Sequence, residues 1–555
     1  MKPQRPAEPH PAIEAVRLAW LAAFVSIFSF LFYQRHGDIL LYGDAVAHIN
    51  IARRVFDSQT PGLLQLGTVW LPLPHLLILP FIVPMRLWQS GTGGSIPSMA
   101  GYILGVLGIF RLMRTVLAHE GKLDARGTTL SWLSALVYAG NPNLIYMQST
   151  AMGESLYLAA FIWAAAYFSD FATGAKRTKS LAKCGFCLAA ACLIRYDGWF
   201  LAATLVVATL VIAYRRQKRA DRTDSHLPTA ALVKFVLIAS TTPVLWLAYN
   251  AIVYRNPLEF ANGPYSAKAI EQKTATVNPA QGSLPTAALY FLKTAELNVA
   301  ESNWEGRLWL TLALFGSAVA TITPQLRPAL VLWAPLPFYA LSVAYGSIPI
   351  FLPKSWPFSY YNVRYGLQLL PALAIFVPIA ISYLVYFASK LPSFRPEWQR
   401  WSDAFVFLPI LLLAVVTYGS IWRADPISYR EAAINSRGRI ALDQQLGKWF
   451  TSFPPNSTFL MFLGEHSGAF EEAGIPLRRV INEGNHRVWK QPSDSEGLWE
   501  RALADPAAYA DYVVGFEDDP AWIAAKDHHL VALVEIHTTG QAPAAIFPAR
   551  TGPAR

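Results

Sequence analysis

Apolar residues along this chain come in long blocks that are separated by short polar segments. The blocks are about 17–25 residues long, which is the length that a helix needs to cross a hydrocarbon core of about 30 Å. Because backbone polar groups in lipid must be satisfied within the segment, each block is predicted to be a membrane-spanning helix. About eleven such blocks are present, at about residues 13–33, 96–117, 128–146, 150–172, 180–194, 197–214, 229–250, 306–323, 328–346, 364–388 and 403–422.

One further apolar segment, WLPLPHLLILPFIVP at residues 70–84, is interrupted by prolines and is a poor candidate for a regular crossing. If it does not cross, the basic loops after the spans all fall on the inner side, as the positive-inside rule requires. If it does cross, the run Arg215–Arg219 falls outside. The segment is therefore predicted to be a juxtamembrane or re-entrant element that lines something other than lipid.

The basic flank of the first span, with Lys2 and Arg5, places the N-terminus inside. We predict a transmembrane domain over residues 1–424, with a first outer loop at 34–95 that carries juxtamembrane helices. Residues 425–555 are then predicted to form a small extracytoplasmic α/β domain. Its expected strands lie at 458–464, 512–516 and 530–536, and its expected helices at 437–450 and 496–504.

Composition agrees with a polytopic α-helical membrane protein. Hydrophobic residues make up 54% of the 555 residues and charged residues 15%, whereas a soluble protein would have about 25% charged residues. Mean hydropathy is +0.30. The net charge of +10 comes from lysines and arginines in short loops between spans, and no RNA-binding motif is present, so nucleic acid is excluded as a partner.

Ionisable residues at membrane depth are costly and therefore indicate function. Asp44, Glu154, Arg195, Asp197 and Arg364 all fall at the outer ends of predicted spans or of the outer helix. Each also has a purely structural explanation: a helix cap for the two outer acids, a local ion pair for Arg195 with Asp197, and a snorkelling side chain for Arg364. Because all five fall on one side of the membrane, we predict a common cavity that opens outward.

Motifs for other chemistry are missing. The sequence has no phosphate-binding G-x-x-x-x-G-K-[ST] and no H-E-x-x-H zinc motif. His48 follows Asp44 by four residues and shares its helix face. It could bind a metal, but packing or a hydrogen bond is the preferred interpretation.

The order of these features resembles the GT-C superfamily of membrane glycosyltransferases, and in particular the bacterial members of the protein O-mannosyltransferase and lipid A aminoarabinose transferase branch. The resemblance covers roughly residues 10–390. It rests on four short motifs and one outer loop: YGDAVAH (42–48), WLPLPHLL (70–77), AMGESLYLA (151–159), N-x-R-Y-x5-P (362–371) and NPLEFANGPYSA (256–267).

This resemblance implies an inverting transfer of a sugar from a polyprenyl-phosphate donor, with Asp44 as the general base that takes the acceptor hydroxyl proton. It implies that Glu154, the second catalytic candidate, orients the acceptor or binds a second group, and that arginines bind the leaving phosphate by bidentate hydrogen bonds. The candidates for donor and phosphate binding are Arg195, Arg364, Tyr365, Asp197, His48, Trp70 and, ranked behind them, Arg53 and Arg54.

Two departures limit what the resemblance implies. The aminoarabinose branch has a Lys-Pro-Pro juxtamembrane motif, whereas residues 69–74 here contain no lysine, so the donor sugar cannot be inferred. Oligosaccharyltransferase-like members use a divalent metal, which Asp44, His48 and Glu154 could hold. We predict that no metal or other cofactor is needed. The expected partners are the polyprenyl-phosphate sugar, membrane lipid and an acceptor that the sequence does not identify.

The expected location is the inner (plasma) membrane, with the active site and C-terminal domain on the periplasmic or extracytoplasmic side. Two alternatives remain open at this point. A transporter or flippase of a lipid-linked glycan would place polar groups near the midplane and show inverted repeats, and the sequence shows neither. A ligase or polymerase that uses a pyrophosphate-linked glycan is not distinguished from single-sugar transfer.

Overall fold

The computed structural model is mostly helical over the residues that it describes. These are residues 11–118, 123–174, 177–219, 228–264, 266–274, 277–391, 402–464, 466–485 and 495–550. The helices before the C-terminal region are α1 (Pro11–His36), α2 (Gly43–Arg54), α3 (Pro72–Ile78), α4 (Met85–Gln89), α5 (Thr92–Leu117), α6 (Ala125–Ala139), α7 (Pro142–Gln148), α8 (Glu154–Thr173), α9 (Arg177–Ile194), α10 (Asp197–Arg219), α11 (Thr229–Val253), α12 (Glu259–Asn262), α13 (Ala267–Thr274), α14 (Leu284–Val299), α15 (Asn303–Ile322), α16 (Pro335–Tyr345), α17 (Leu370–Ala388) and α18 (Ser402–Ala424).

Every apolar block that was predicted to span the membrane coincides with helix. In the described part of the chain, eight helical stretches are long and apolar enough to cross a membrane by length and composition. The other three predicted blocks fall on α6 with α7, on α9 and on α15, which do not meet the same length and hydropathy criterion. The multi-span helical fold is confirmed, while the number of crossings and the sides of the termini stay predictions.

The Pro-rich segment at residues 70–84 forms no long helix. Pro72 begins the short helix α3, a 3-10 turn covers Leu79–Phe81, and α4 begins at Met85, directly after Pro84. The apolar run Pro72–Phe81 has fewer than 18 residues and, at about 1.5 Å per residue, is too short to cross a core of about 30 Å. This agrees with the predicted juxtamembrane element.

Close contact between α5 and α8 forms much of the buried centre of the bundle. A Cβ atom on Gly101 would lie 2.8 Å from the backbone nitrogen of Leu156, and a Cβ atom on Gly108 would lie 2.7 Å from Ile162. Glycine on one helix therefore allows the two backbones to approach, as small residues do in membrane helix pairs. This packing fixes the start of α8, where Glu154 lies.

The C-terminal region is a small α/β unit that follows α18 almost directly. Its elements are α19 (Ile427–Ser452), β1 (Phe459–Met461), α20 (Gly468–Ala473), β2 (Val480–Ile481), α21 (Leu498–Ala504), α22 (Pro506–Tyr509), β3 (Tyr512–Phe516), α23 (Pro520–Asp527), β4 (Val534–Ile536) and β5 (Ala544–Pro548). The sheet order is β2-β1-β3-β5-β4, with β1 parallel to β2 and β3, and β5 antiparallel to β3 and β4. The predicted α/β domain is confirmed, whereas its boundary at residue 425 stays a prediction.

This unit packs against the first outer loop. Glu471 of α20 accepts a 2.7 Å hydrogen bond from the side chain of Asn50 in α2. The guanidinium of Arg478 lies 3.3 Å from Asp57, just after α2. The C-terminal region therefore supports the helix that carries Asp44.

Candidate active site

Arg364 lies at the centre of a cluster of charged side chains. It sits in the 3-10 turn Val363–Leu369, which leads into α17. Its Nη2 is 2.6 Å from Asp44, its Nε is 3.2 Å from Glu154, and its Nη1 is 3.0 Å from Glu431. All three nitrogens of one guanidinium thus bind a different carboxylate, a geometry that arginine allows and lysine does not.

Arg195 forms a second centre beside the first. Its Nη1 is 3.1 Å from Glu154 and its Nε is 3.3 Å from Asp197. Its Nη2 donates to the hydroxyl of Tyr339 at 3.0 Å, and that hydroxyl donates to Asp197 at 3.0 Å. Because Oε1 of Glu154 also contacts Arg364, this carboxylate bridges the two arginines.

Aromatic rings cover both guanidinium groups. The Tyr365 ring centroid is 5.3 Å from the guanidinium carbon of Arg364 and 5.1 Å from that of Arg195. Tyr42, two residues before Asp44, lies 4.9 Å from the same carbon of Arg364. Such cation–π contacts favour the charged arginines in a partly desolvated setting.

Local helix geometry explains why three of the acids meet here. Asp44, Glu154 and Asp197 lie in the first turns of α2, α8 and α10 respectively. Free backbone N–H groups and the helix dipole stabilise carboxylates at this position. Capping was the structural alternative for Asp44 and Glu154, but the N-caps of α2 and α8 carry no side-chain hydrogen bond, and both acids pair with Arg364.

Exposure divides the acids into two groups. The Asp44 side chain is 41% exposed, whereas those of Glu154 and Glu431 are 1% and 2% exposed. Asp44 is therefore the most solvent-exposed of these carboxylates. The buried acids bind the arginines on the side that faces the protein interior.

Glu431, in α19, was not predicted as a site residue. It accepts the backbone N–H groups of Asn362, Val363 and Arg364 at 3.1, 2.7 and 3.3 Å. Residues 425–555 were predicted to form a separate domain, and Glu431 lies beyond that boundary. The available signal was an acid soon after the last predicted span, on the same predicted side as the others.

His48 takes part in a hydrogen bond and not in the charged cluster. Its Nδ1 lies 2.8 Å from Nε2 of His75, and its ring lies 4.1 Å from the ring of Trp70. Burial, together with the nearby charges of Arg195 and Arg364, lowers the pKa of His48 to about 3. His48 is therefore neutral near pH 7 and adds no positive charge for an anion.

Arg53 lies away from the cluster, contrary to the role predicted for it. It follows Asp44 by nine residues, about two and a half helical turns, and so projects from the opposite face of α2. Its Nε is 2.8 Å from Asp57, and its Nη1 donates to the backbone carbonyl of Ile82 at 2.6 Å. It joins α2 to the segment before α4. Arg54 likewise pairs elsewhere, with Glu483 at 3.5 Å.

A divalent metal does not fit this donor set. In the described ranges, no group of three or more histidine, cysteine or acidic side chains could hold a metal ion. Asp44 and Glu154 both bind Arg364, and His48 binds His75. We therefore derive no step through a metal, and metal independence stays a prediction.

Comparison with known proteins finds similar folds among solved structures. No protein-family model and no curated protein sequence matches the chain. Among solved structures, it is similar to ArnT from Cupriavidus metallidurans bound to undecaprenyl phosphate, with 14% identity and a TM-score of 0.54 over 98% of this chain and 99% of that one. The apo form of the same protein gives 14% identity and a TM-score of 0.51 with the same coverage.

A third structure is the Archaeoglobus fulgidus oligosaccharyltransferase AglB with an inhibitory peptide and a dolichol-phosphate. It gives 13% identity and a TM-score of 0.46 over 90% of this chain and 69% of that one. The match to ArnT covers nearly the whole chain, including the C-terminal region. The fold of this chain is therefore similar to that of ArnT over nearly its whole length.

Proposed function

We propose that this protein is a membrane glycosyltransferase that moves a sugar from a polyprenyl-phosphate donor to an acceptor hydroxyl on the extracytoplasmic side of the plasma membrane. The observation that carries the proposal is the exposed carboxylate of Asp44, which lies 2.6 Å from Arg364. The buried carboxylates of Glu154 and Glu431 bind the same guanidinium. A base next to a phosphate-binding group is what such a transfer needs. The ArnT-like fold supports the same reaction class.

Both arginines have N–H donors left that can bind a phosphate. A guanidinium has five N–H donors, and Arg364 and Arg195 each direct three of them to protein acceptors. The remaining donors can bind phosphate oxygens by charge-assisted hydrogen bonds. Tyr365, which contacts both guanidinium groups, supports them.

Arrival of the donor also frees the base. Asp44 is the exposed partner of Arg364, whereas Glu154 and Glu431 are buried. A phosphate that competes for Arg364 therefore displaces Asp44 and not the buried acids. The released carboxylate can then accept the proton of the acceptor hydroxyl.

The chemical step is a single displacement at the anomeric carbon. The acceptor oxygen forms its bond to this carbon as its proton passes to Asp44. On the opposite face, the bond from carbon to phosphate oxygen breaks, and its electron pair leaves with the polyprenyl phosphate. The anomeric configuration is inverted, and no other reactant is needed.

The buried members of the cluster have supporting parts in this proposal. Glu154 bridges the two arginines and is 1% exposed, so we assign it to positioning the arginines and not to the acceptor contact that was predicted. Asp197 holds Arg195 in the same way. The rings of Trp70 and His48 contact each other, and His48 lies near Arg195 and Arg364. Arg53 has no part.

The test is transfer of label from a panel of radiolabelled undecaprenyl-phosphate sugars to acceptors in a cell-envelope extract, catalysed by the purified protein in liposomes. We expect the wild type to move label out of the donor pool with at least one sugar, and Asp44→Asn to abolish this. Folding of the variant should stay near that of the wild type because the Asp44 side chain is partly exposed. Wild-type turnover in Asp44→Asn would refute the assignment of the base. Failure with every donor would refute the donor class.

A further inference from the structure

We propose that Glu431 is a positioning residue that fixes Arg364 for the donor phosphate, an inference that rests on the proposed function. Glu431 lies in α19, the helix that leads from α18 into the C-terminal sheet region. It touches none of the reacting atoms in the proposed reaction. It acts through Arg364, whose side chain and backbone it binds together.

The contacts of Glu431 use both carboxylate oxygens. Oε1 accepts from the backbone N–H of Asn362 and from Nη1 of Arg364, at 3.1 and 3.0 Å. Oε2 accepts from the backbone N–H groups of Val363 and Arg364, at 2.7 and 3.3 Å. A carboxylate offers about four acceptor positions, and here all of them are in use.

The backbone around Arg364 is shaped to receive this carboxylate. Asn362 has a left-handed conformation with φ of 58°, and the residues after it continue in a 3-10 turn. Successive N–H groups therefore converge on one point, as in the anion-binding concavities known as nests. Glu431 supplies the anion from within the protein.

This arrangement gives Arg364 an anchor that remains when Asp44 leaves. Of its three carboxylate partners, Asp44 is displaced by the donor, and Glu154 is shared with Arg195. Glu431 alone binds both the side chain and the main chain of Arg364. Without its charge, the guanidinium is free to turn away from the position that matches the phosphate.

Glutamine at position 431 separates the contribution of the charge from that of the size and backbone contacts of the side chain. It keeps the size of the side chain and one carbonyl oxygen for the backbone N–H groups, but it removes the charge that holds the guanidinium. A matched control is Glu301→Gln. Glu301 pairs at 2.5 Å with Arg430, the neighbour of Glu431 in α19, and this pair is partly exposed at 27% and 23%.

The experiment measures binding of undecaprenyl phosphate and of uncharged undecaprenol to the full-length protein in nanodiscs. We expect Glu431→Gln to weaken undecaprenyl phosphate binding by about tenfold or more, since it removes the charge-assisted contact that fixes Arg364. Undecaprenol binding should not change. Glu431→Asp keeps the charge and should recover part of the loss, and Glu301→Gln should behave as the wild type.

Each other outcome overturns the proposal. Equal undecaprenyl phosphate affinity in Glu431→Gln and Glu301→Gln would show that Arg364 needs no such anchor. Equal loss of undecaprenol binding, or failure of both position-431 variants to fold, would make Glu431 a structural residue only. If the wild type itself does not prefer undecaprenyl phosphate to undecaprenol, the proposed function fails as well. The first two outcomes overturn only the role of Glu431 and leave the proposed function standing.

Discussion

Replacement of Arg364 by lysine tests whether the cluster depends on the shape of the guanidinium or only on its charge. The three nitrogens of Arg364 each bind a different carboxylate, at 2.6, 3.2 and 3.0 Å. A lysine ammonium carries its donors on one nitrogen at the end of a flexible chain. It can therefore stay near one or two of the acids, and at least one buried carboxylate loses its partner.

The expected loss of stability follows from these contacts. Each charge-assisted hydrogen bond that is lost costs about 1.5–3 kcal/mol. Complete removal of one member of a buried ion pair costs about 3–5 kcal/mol, which sets the upper limit because lysine keeps the charge. We therefore expect Arg364→Lys to lower the free energy of unfolding by about 2–4 kcal/mol and to reduce transfer strongly.

The assay is unfolding of the detergent-purified protein, followed by the fluorescence of its 18 tryptophans, together with the transfer assay. The matched control is Arg430→Lys, because Arg430 forms a partly exposed pair with Glu301. Such pairs contribute about 0–1 kcal/mol, so this variant should be close to the wild type. An equal shift in the two variants, or unchanged transfer in Arg364→Lys, would refute the reasoning.

Two further predictions concern pH and metal ions. Burial raises the pKa of Glu471 from its ordinary value of 4.5 to about 8. The folded state therefore keeps a proton on this carboxyl that the unfolded state releases. The contribution of this group to stability is fully present below about pH 4.5 and is lost as the pH rises to about 8. Glu471→Gln cannot ionise and should lose less stability between pH 5 and pH 8, by on the order of 1.4 kcal/mol per pKa unit, whereas parallel curves for the two proteins would contradict this account. Treatment with EDTA should leave transfer unchanged, since Asp44 and Glu154 bind an arginine; loss of transfer that Mn²⁺ restores would show a metal site.

The helical membrane fold could be predicted because its cause is local. Most of the apolar blocks are long enough to cross lipid by themselves, and each block coincides with helix in the structure. The break between α6 and α7 lies inside the block predicted at 128–146, at the turn that the sequence Asn-Pro-Asn indicates at residues 141–143. It occurs at Asn141–Pro142, where Asn141 caps the new helix through the N–H of Leu144. Apolar length alone does not show such a cap.

The small sheet was predicted in part. The strands β1, β3 and β4 carry apolar, β-branched or aromatic residues, and all three lie within predicted strands. β5 was missed because AAIFP is rich in alanine and ends at proline, neither typical of a strand. It is a strand because it pairs with both β3 and β4, which is a tertiary effect.

The charged cluster could be predicted as far as its members lie at ends of apolar blocks. Glu154, Arg195, Asp197 and Arg364 have this position, Asp44 begins the outer helix, and the structure brings all five together. The remaining partners do not lie at the end of an apolar block. Tyr339 is one more aromatic residue in an apolar helix, and Glu431 follows the predicted domain boundary, so both required the folded chain.

The most direct test of the account is a structure of the full-length protein with undecaprenyl phosphate bound. The account predicts density for the phosphate within hydrogen-bonding distance of Arg364 or Arg195, with Asp44 no longer paired to Arg364 and Glu431 still in place. A phosphate bound elsewhere, with the ion pair between Asp44 and Arg364 intact, would contradict it.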